Sequence, residues 1–209
     1  MPTSNELLPL PLPFLPEAVI FDCDGTLIDT MPLHFKAWQE TLGEQAGLFP
    51  EETFYAWGGV TAREIVMRIN QIHGTSLPDE ALAEDKEQRY HFLIPQATVI
   101  PLVVAEVKRF HAAGIPMGVA SGGMRSVVEE SLRVTGLRDY FGAVATADDV
   151  VHGKPAPDVF LLAAKRLGVA PETCVVYEDG DTGLEAARRA GMRGVDIRPF
   201  LPPRVTKAL

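Results

Sequence analysis

The stretch AVIFDCDGTLIDT, Ala18 to Thr30, runs from a short apolar segment straight into two carboxylates separated by one residue. Ala18 to Phe21 is apolar and partly β-branched, as a strand buried on both faces of a parallel sheet requires. The segment ends at Asp22, and Gly25 marks a turn just beyond it. Side chains alternate along a strand, so Asp22 and Asp24 share a face only if the chain stays extended between them. Both carboxylates stand at a carboxyl strand end, where open α/β sheets carry their ligand sites because the loops there vary while the sheet holds them. Alone, DxDG is equally readable as a solvated acidic turn. The remainder of the chain decides between the two.

The pattern of an apolar strand ending in a polar group recurs. Pro116 to Ala120 leads into Ser121, Gly122 and Gly123, and Cys174 to Tyr177 leads into Glu178 and Asp179. Between them HGKPAPD sets Lys154 in a loop ahead of a helix, with Pro155 and Pro157 stiffening the approach. Taken singly, Ser121 reads as a turn or helix cap, Lys154 as a surface lysine and Glu178-Asp179 as an acidic turn. Helices ending near glycine (VVAEVKRFHAAG, VVEESLRVTGL, DVFLLAAKRLG, GLEAARRAG) alternate with strands around MGVAS, GAVAT, CVVYE and GVDI. Such βα alternation implies an α/β fold, a doubly wound, Rossmann-like parallel sheet of five strands with helices on both faces. Four carboxylates, a hydroxyl and an ammonium are then offered to one sheet edge.

Residues 31–96 read differently, as a mostly helical insertion. TAREIVMRINQIHG carries Ile65, Val66, Ile69 and Ile72 at helical spacing, and ALAEDKEQRYHFLI follows Pro78. The expected organisation is a leader over 1–16, an α/β core domain over 17–30 and 97–209, and a small α-helical cap domain over 31–96, hinged near Thr30 and Pro95. A cap of this kind can close over a substrate and exclude water. Its WGGV turn, with Gly58 and Gly59, allows close backbone approach, and Arg63 can reach a distal anionic group or lie on a helix surface.

With these segments in order, the chain resembles the haloacid dehalogenase-like superfamily of phosphoryl-transfer enzymes. DCDGTLIDT matches its first motif, VASGG its second, the lysine of HGKPAPD its third and VVYEDGDTG its fourth. The match covers nearly everything from about Glu17 onward. DTMPLHFKAW and GKPAPDVFLLAAKRLGV look like the subgroup that holds β-phosphoglucomutase and the fructose-1-phosphate phosphatases. The resemblance implies that the strand carrying Asp22 is central. It implies Asp22 as nucleophile, Asp24 as general acid and base, and Ser121 and Lys154 as phosphoryl-binding groups. Mg2+ would be held by Asp22, the Asp24 backbone carbonyl and Asp179, with Glu178 in an outer or water-mediated place. Substrate contacts fall on Thr26, Thr30, His34, Gly59, Arg63, Gly122 and Gly123.

An acid at Asp24 suits a phosphate ester, whose leaving alkoxide needs a proton, and not a halide, which leaves without one. The resemblance departs from the mutase at Gly58, where β-phosphoglucomutase has a lysine, and at Gly122, Gly123 and Met124, which do not match its distal-phosphate contacts. A small-molecule phosphate monoester is therefore the expected partner and hydrolysis the expected reaction. The mutase, or a binding protein without turnover, is the alternative.

Composition narrows the rest. The chain has 209 residues, 46% of them hydrophobic, enough for a substantial core. A net charge of −9 and the lack of a Lys/Arg stripe argue against nucleic acid. No apolar run approaches the roughly twenty residues of a bilayer span, and LLPLPLPFLP, broken by four prolines and lacking a basic start, reads as a mobile or PPII-like leader and not a signal peptide. Cys23 and Cys174 lie at opposite ends of neighbouring strands and should not pair, so the default location is cytoplasmic. A monomer or weak homodimer is expected. The chain lacks GxGxxG, Walker A and GxSxG frames, and a receiver domain would be shorter and without the helical insertion.

Overall fold

The computed structural model describes residues 8–58 and 60–201. Within them the chain forms two compact units, one of residues 8–29 and 97–201 and the other of residues 30–96. The first opens with β1 (Ala18–Phe21) and the short β2 (Ile28–Asp29). The second consists of α1 (Met31–Leu42), α2 (Glu51–Ala56), α3 (Ala62–His73) and α4 (Asp79–Leu93) with short connections. The chain returns through β3 (Thr98–Val99) and then alternates α5 (Pro101–Ala112), β4 (Met117–Ala120), α6 (Arg125–Val134) and β5 (Ala143–Ala145). It ends with α7 (Asp158–Leu167), β6 (Cys174–Glu178), α8 (Asp181–Arg189) and β7 (Arg193–Asp196).

Five strands make one parallel sheet in the order β5-β4-β1-β6-β7, so the strand ending at Asp22 is central. Phe21 lies beside Val119 on one neighbour and Tyr177 on the other. Strand alternation sorts the core into two layers. Val19 and Phe21 join Val107 and Phe110 of α5 and Leu132 of α6, whereas Ala18 and Ile20 join Phe160 and Ala163 of α7 and Ala187 of α8. Because both faces are covered, every residue of β1 is buried, and the first polar group the strand tolerates is the one at its end. β2 and β3 form a separate antiparallel pair, Ile28 opposite Val99 and Asp29 opposite Thr98. The strand leading out of the first unit and the strand returning to it are thus neighbours.

The expectation of a loose leader over 1–16 differs from the structure over residues 8–16; residues 1–7 lie outside the described ones. The Leu8 amide donates to the Gly194 carbonyl of β7 at 2.9 Å. Leu12 is buried and its amide donates to Glu106 at 3.3 Å, while Phe14 lies 4.7 Å beneath the Arg193 guanidinium. Proline denies this segment a helix, but its leucines and phenylalanine still gain by burial, and their packing on the α5 side of the core offsets the entropy of ordering it. At the opposite sheet edge, the Val144 carbonyl of β5 accepts hydrogen bonds from Arg125 and Arg166.

The second unit has its own core of Trp38, Phe49, Phe54, Ile65, Val66 and Ile69. Thr61 caps α3 by accepting from the Glu64 amide, and Gly74 ends the helix in the left-handed conformation. Ile72 departs from the expected stripe and is 62% exposed. Its position in the final turn has the right period, but a period sets only the face of a helix, not how far along it the partner cluster reaches. No helix among the described residues is long and apolar enough to cross a membrane.

Candidate active site

Three carboxyl strand ends and one loop supply the polar groups. β1 delivers Asp22 and Asp24, β4 delivers Ser121, β6 delivers Glu178 and Asp179, and the loop before α7 delivers Lys154. After Asp24 the chain turns at once, with the Gly25 amide donating to the Ile28 carbonyl at 2.8 Å and Gly25 at φ +85°.

Lys154 is the centre of charge. Its Nζ lies 2.6 Å from Asp22 Oδ1 and 2.7 Å from Glu178 Oε1, and the three side chains are only 11%, 8% and 4% exposed. The Phe160 ring lies 5.0 Å from the same nitrogen. Burial by itself would lower the lysine pKa, but Asp22 and Glu178 hold it above the ordinary lysine range, so the ammonium persists. Burial lifts the Asp22 carboxyl to about 6 against the pull of Lys154, and Asp179 and Asp24 add to the rise. Glu178 is raised by burial first and by Asp22 second. Such a site strongly favours a further cation.

The flanking groups hold each carboxylate in place. Glu178 Oε2 accepts from the Gly180 amide at 2.6 Å. Gly183, in the first turn of α8, approaches so closely that a Cβ there would stand 1.6 Å from Glu178 Oε1. The Thr26 hydroxyl donates to Asp179 Oδ1 at 3.0 Å. Ser121 Oγ accepts from the Gly123 amide at 2.9 Å and donates to Asp24 Oδ2 at 3.4 Å. Gly122 is exposed, and a Cβ there would meet nothing within 4 Å. Asp22, Glu178 and Asp179 each bring one oxygen into a cluster whose atoms lie within 4.8 Å of one another. An all-oxygen, multiply anionic donor set fits a hard cation such as Mg2+.

The structure therefore brings Asp22, Asp24, Ser121, Gly123, Lys154, Glu178 and Asp179 together, with Gly122 next in the chain. Thr26, expected at the substrate, is fully buried and bonded to Asp179 instead. The remaining expected contacts belong to the second unit. Thr30 precedes α1 as a buried residue whose hydroxyl makes no capping bond. His34 stacks on Tyr90 at 3.7 Å with its Nδ1 2.9 Å from Lys86 Nζ, and burial followed by Lys86 keeps it neutral, well below the usual histidine range. Arg63 is 59% exposed and paired with Asp79 at 2.8 Å and Glu80 at 3.8 Å, so it is a surface arginine of α3. Gly59 lies outside the described residues.

Sequence reasoning missed Gly183, Gly180 and the buried Lys86. The GDTG run offered a signal for the two glycines, since small residues beside a carboxylate mark close approach. Lys86 had none beyond being one lysine in an acidic helix. Cys23 and Cys174 are free and buried. Burial, then Asp24 and Asp22, push the Cys23 thiol up, which leaves it unreactive.

Residues 16–191 match the haloacid dehalogenase-like hydrolase family, and the chain belongs to it. It is 43% identical over 181 residues to the fructose-1-phosphate phosphatase YqaB of Escherichia coli, across 86% of this chain and 95% of that protein. A β-phosphoglucomutase of Bacillus subtilis is 30% identical over 190 residues, 87% of this chain and 83% of the mutase. Among solved structures, CbbY from Rhodobacter sphaeroides in complex with phosphate superposes with a TM-score of 0.71 at 30% identity, covering 86% of this chain and 85% of that one.

Proposed function

We propose that this phosphoric monoester hydrolase releases phosphate from a small sugar phosphate, fructose 1-phosphate or 6-phosphogluconate, through an aspartyl phosphate on Asp22. One observation carries the reading: a nucleophilic carboxylate, an acid-base carboxylate and a buried ammonium stand at one sheet edge. They do so in a chain similar to a fructose-1-phosphate phosphatase over nearly all of that protein's length.

Lys154 anchors one oxygen of Asp22, which leaves the other for in-line attack on phosphorus. As the P–O bond to the sugar breaks, Asp24 gives its proton to the leaving alkoxide; it then takes a proton from the water that cleaves the aspartyl phosphate. Ser121, its hydroxyl oriented by the Gly123 amide, and the amide of Gly122 donate to the phosphoryl oxygens. Asp22 and Asp179, with the Asp24 carbonyl, would hold Mg2+, which when bound offsets the repulsion between carboxylate and phosphate. Both oxygens of Glu178 already have partners, Lys154 and Gly180, so this residue would act through water.

The pairing of charges favours hydrolysis over mutation. A mutase needs a second grip for phosphate, and both Arg63, named above for a distal anionic group, and Arg125, which follows Gly122, Gly123 and Met124, are already paired, with Asp79 and Glu80 and with Asp149 and Glu129.

The test is turnover of fructose 1-phosphate, 6-phosphogluconate and β-glucose 1-phosphate with Mg2+ and a trace of β-glucose 1,6-bisphosphate, scoring free phosphate and isomerised sugar phosphate together. Free phosphate is expected, reduced about 10⁴-fold or more in Asp22→Asn. Glucose 6-phosphate without free phosphate would make the chain a mutase. Phosphate-ester binding with no product would make it a binding protein.

A further inference from the structure

The turn that carries the nucleophile also holds the metal-binding carboxylate from a distant part of the chain. Asp179 lies 153 residues away from Thr26, yet two consecutive residues of DCDGT close on it. The Thr26 hydroxyl donates to Oδ1 at 3.0 Å, and the backbone of Gly25 lies so near that a Cβ would be 2.3 Å from Oδ2. Thr26 is fully buried, so its hydroxyl has no competing water to bond.

We propose that Thr26 is a positioning residue, one that fixes the rotation of the Asp179 carboxylate and thereby sets the affinity of the site for its divalent cation. The proposal rests on the reading above that Asp22 and Asp179 hold that cation. A carboxylate with one oxygen tied and the other pressed against glycine backbone loses the freedom to turn about its terminal bond. Its ligand oxygen is then pre-aimed, and the ordering cost of metal capture falls. Arg198 braces the same loop from outside, bonded to Asp196 at 2.8 Å and to Asp181, two residues after Asp179, at 2.7 Å. Asp179 is thus held from within by Thr26 while the chain beyond it is fastened to β7.

Valine matches threonine in shape and lacks the donor; serine keeps the donor and lacks the methyl. Mn2+ binding to the purified protein is measured directly by electron paramagnetic resonance, in parallel with the Mg2+ concentration that gives half-maximal phosphate release. Wild type is compared with Thr26→Val, Thr26→Ser and Asp179→Asn.

Expected are an affinity about 10- to 100-fold weaker in Thr26→Val by both readouts, near-wild-type affinity in Thr26→Ser, and no tight binding in Asp179→Asn. The substrate KM at saturating Mg2+ should not follow the loss. If Asp179→Asn loses the metal while Thr26→Val binds like wild type, the positioning role is overturned and the metal site stands. If Asp179→Asn binds Mn2+ like wild type, the metal site itself is wrong. Equal weakening in valine and serine variants would assign the effect to packing and overturn the proposal. Thr26→Ala, which removes the hydroxyl together with the methyl, is read against Thr26→Ser, which removes the methyl alone, should the valine variant fail to fold.

Discussion

Replacing Lys154 with methionine is expected to lower kcat/KM by about 10³-fold and to destabilise the metal-free protein by about 3 kcal/mol. The two effects share a cause. Lys154 is the cation between Asp22 and Glu178, at 2.6 and 2.7 Å, and all three side chains are nearly excluded from solvent. Without it, two buried carboxylates face each other and Asp179 with no compensating charge, so one must take up a proton or the site must open to water. The loss of stability should therefore be partly recovered in Lys154→Met/Glu178→Gln, which removes one of the repelling charges, while activity should not recover. Urea unfolding of the single and double variants tests the first statement and phosphate release the second. Activity of Lys154→Met within tenfold of wild type would remove this residue from the chemistry altogether.

A single methyl group at Gly183 is expected to cost about 10²-fold in kcat/KM although the residue carries no chemistry of its own. The Cβ of alanine would fall 1.6 Å from Glu178 Oε1, 2.0 Å from its carboxyl carbon and 2.7 Å from Cγ. The end of a glutamate side chain usually swings aside at small cost, but this one is bonded at both oxygens, to Lys154 and to the Gly180 amide. Either the carboxylate leaves Lys154 or the first turn of α8 shifts and carries Asp179 with it. Overpacking of this sort costs about 1–3 kcal/mol in stability. Gly183→Ala is measured against Gly47→Ala as a surface control, since Gly47 is exposed, a Cβ there would meet nothing within 4 Å, and, like Gly183, it has no left-handed φ. That control accounts for any effect of adding a methyl group where nothing stands in its way. Wild-type turnover in Gly183→Ala would mean that Glu178 can move without consequence.

The sheet and most of the site were legible because both obey local rules. Strand ends and glycine-terminated helices follow a short period, and a parallel sheet sends every carboxyl strand end to one edge, so Asp22, Ser121 and Glu178 converge without any knowledge of long-range contacts. What the sequence withheld depends on pairs distant along the chain. Thr26 has no local feature that points to Asp179, and it read as a substrate contact. Leu12 packs in the α5 side of the core and its amide donates to Glu106, 94 residues on, and proline spacing alone argued for a loose segment. Glu106 itself, bonded by Arg109 and by the Tyr177 hydroxyl at 2.9 Å, looked like an ordinary charge on an amphipathic helix. Arg63 shows the reverse case: the sequence left it either a distal anionic group or a helix surface, and its pairing with Asp79 on an exposed face of α3 matches the second.

An open α/β sheet, unlike a barrel, ends in two strands whose outer hydrogen-bonding groups are available to any passing chain. Here each border carries its own occupant. Leu8 takes the Gly194 carbonyl at one side, and Arg125 and Arg166, themselves fastened to Asp149, take the Val144 carbonyl at the other. A strand from a second molecule would have to displace an apolar segment at the first border and two guanidinium groups with their carboxylate at the second. Each border is thus a gatekeeper that makes pairing with the edge of a second sheet costly, by the same device of covering or charging an exposed strand.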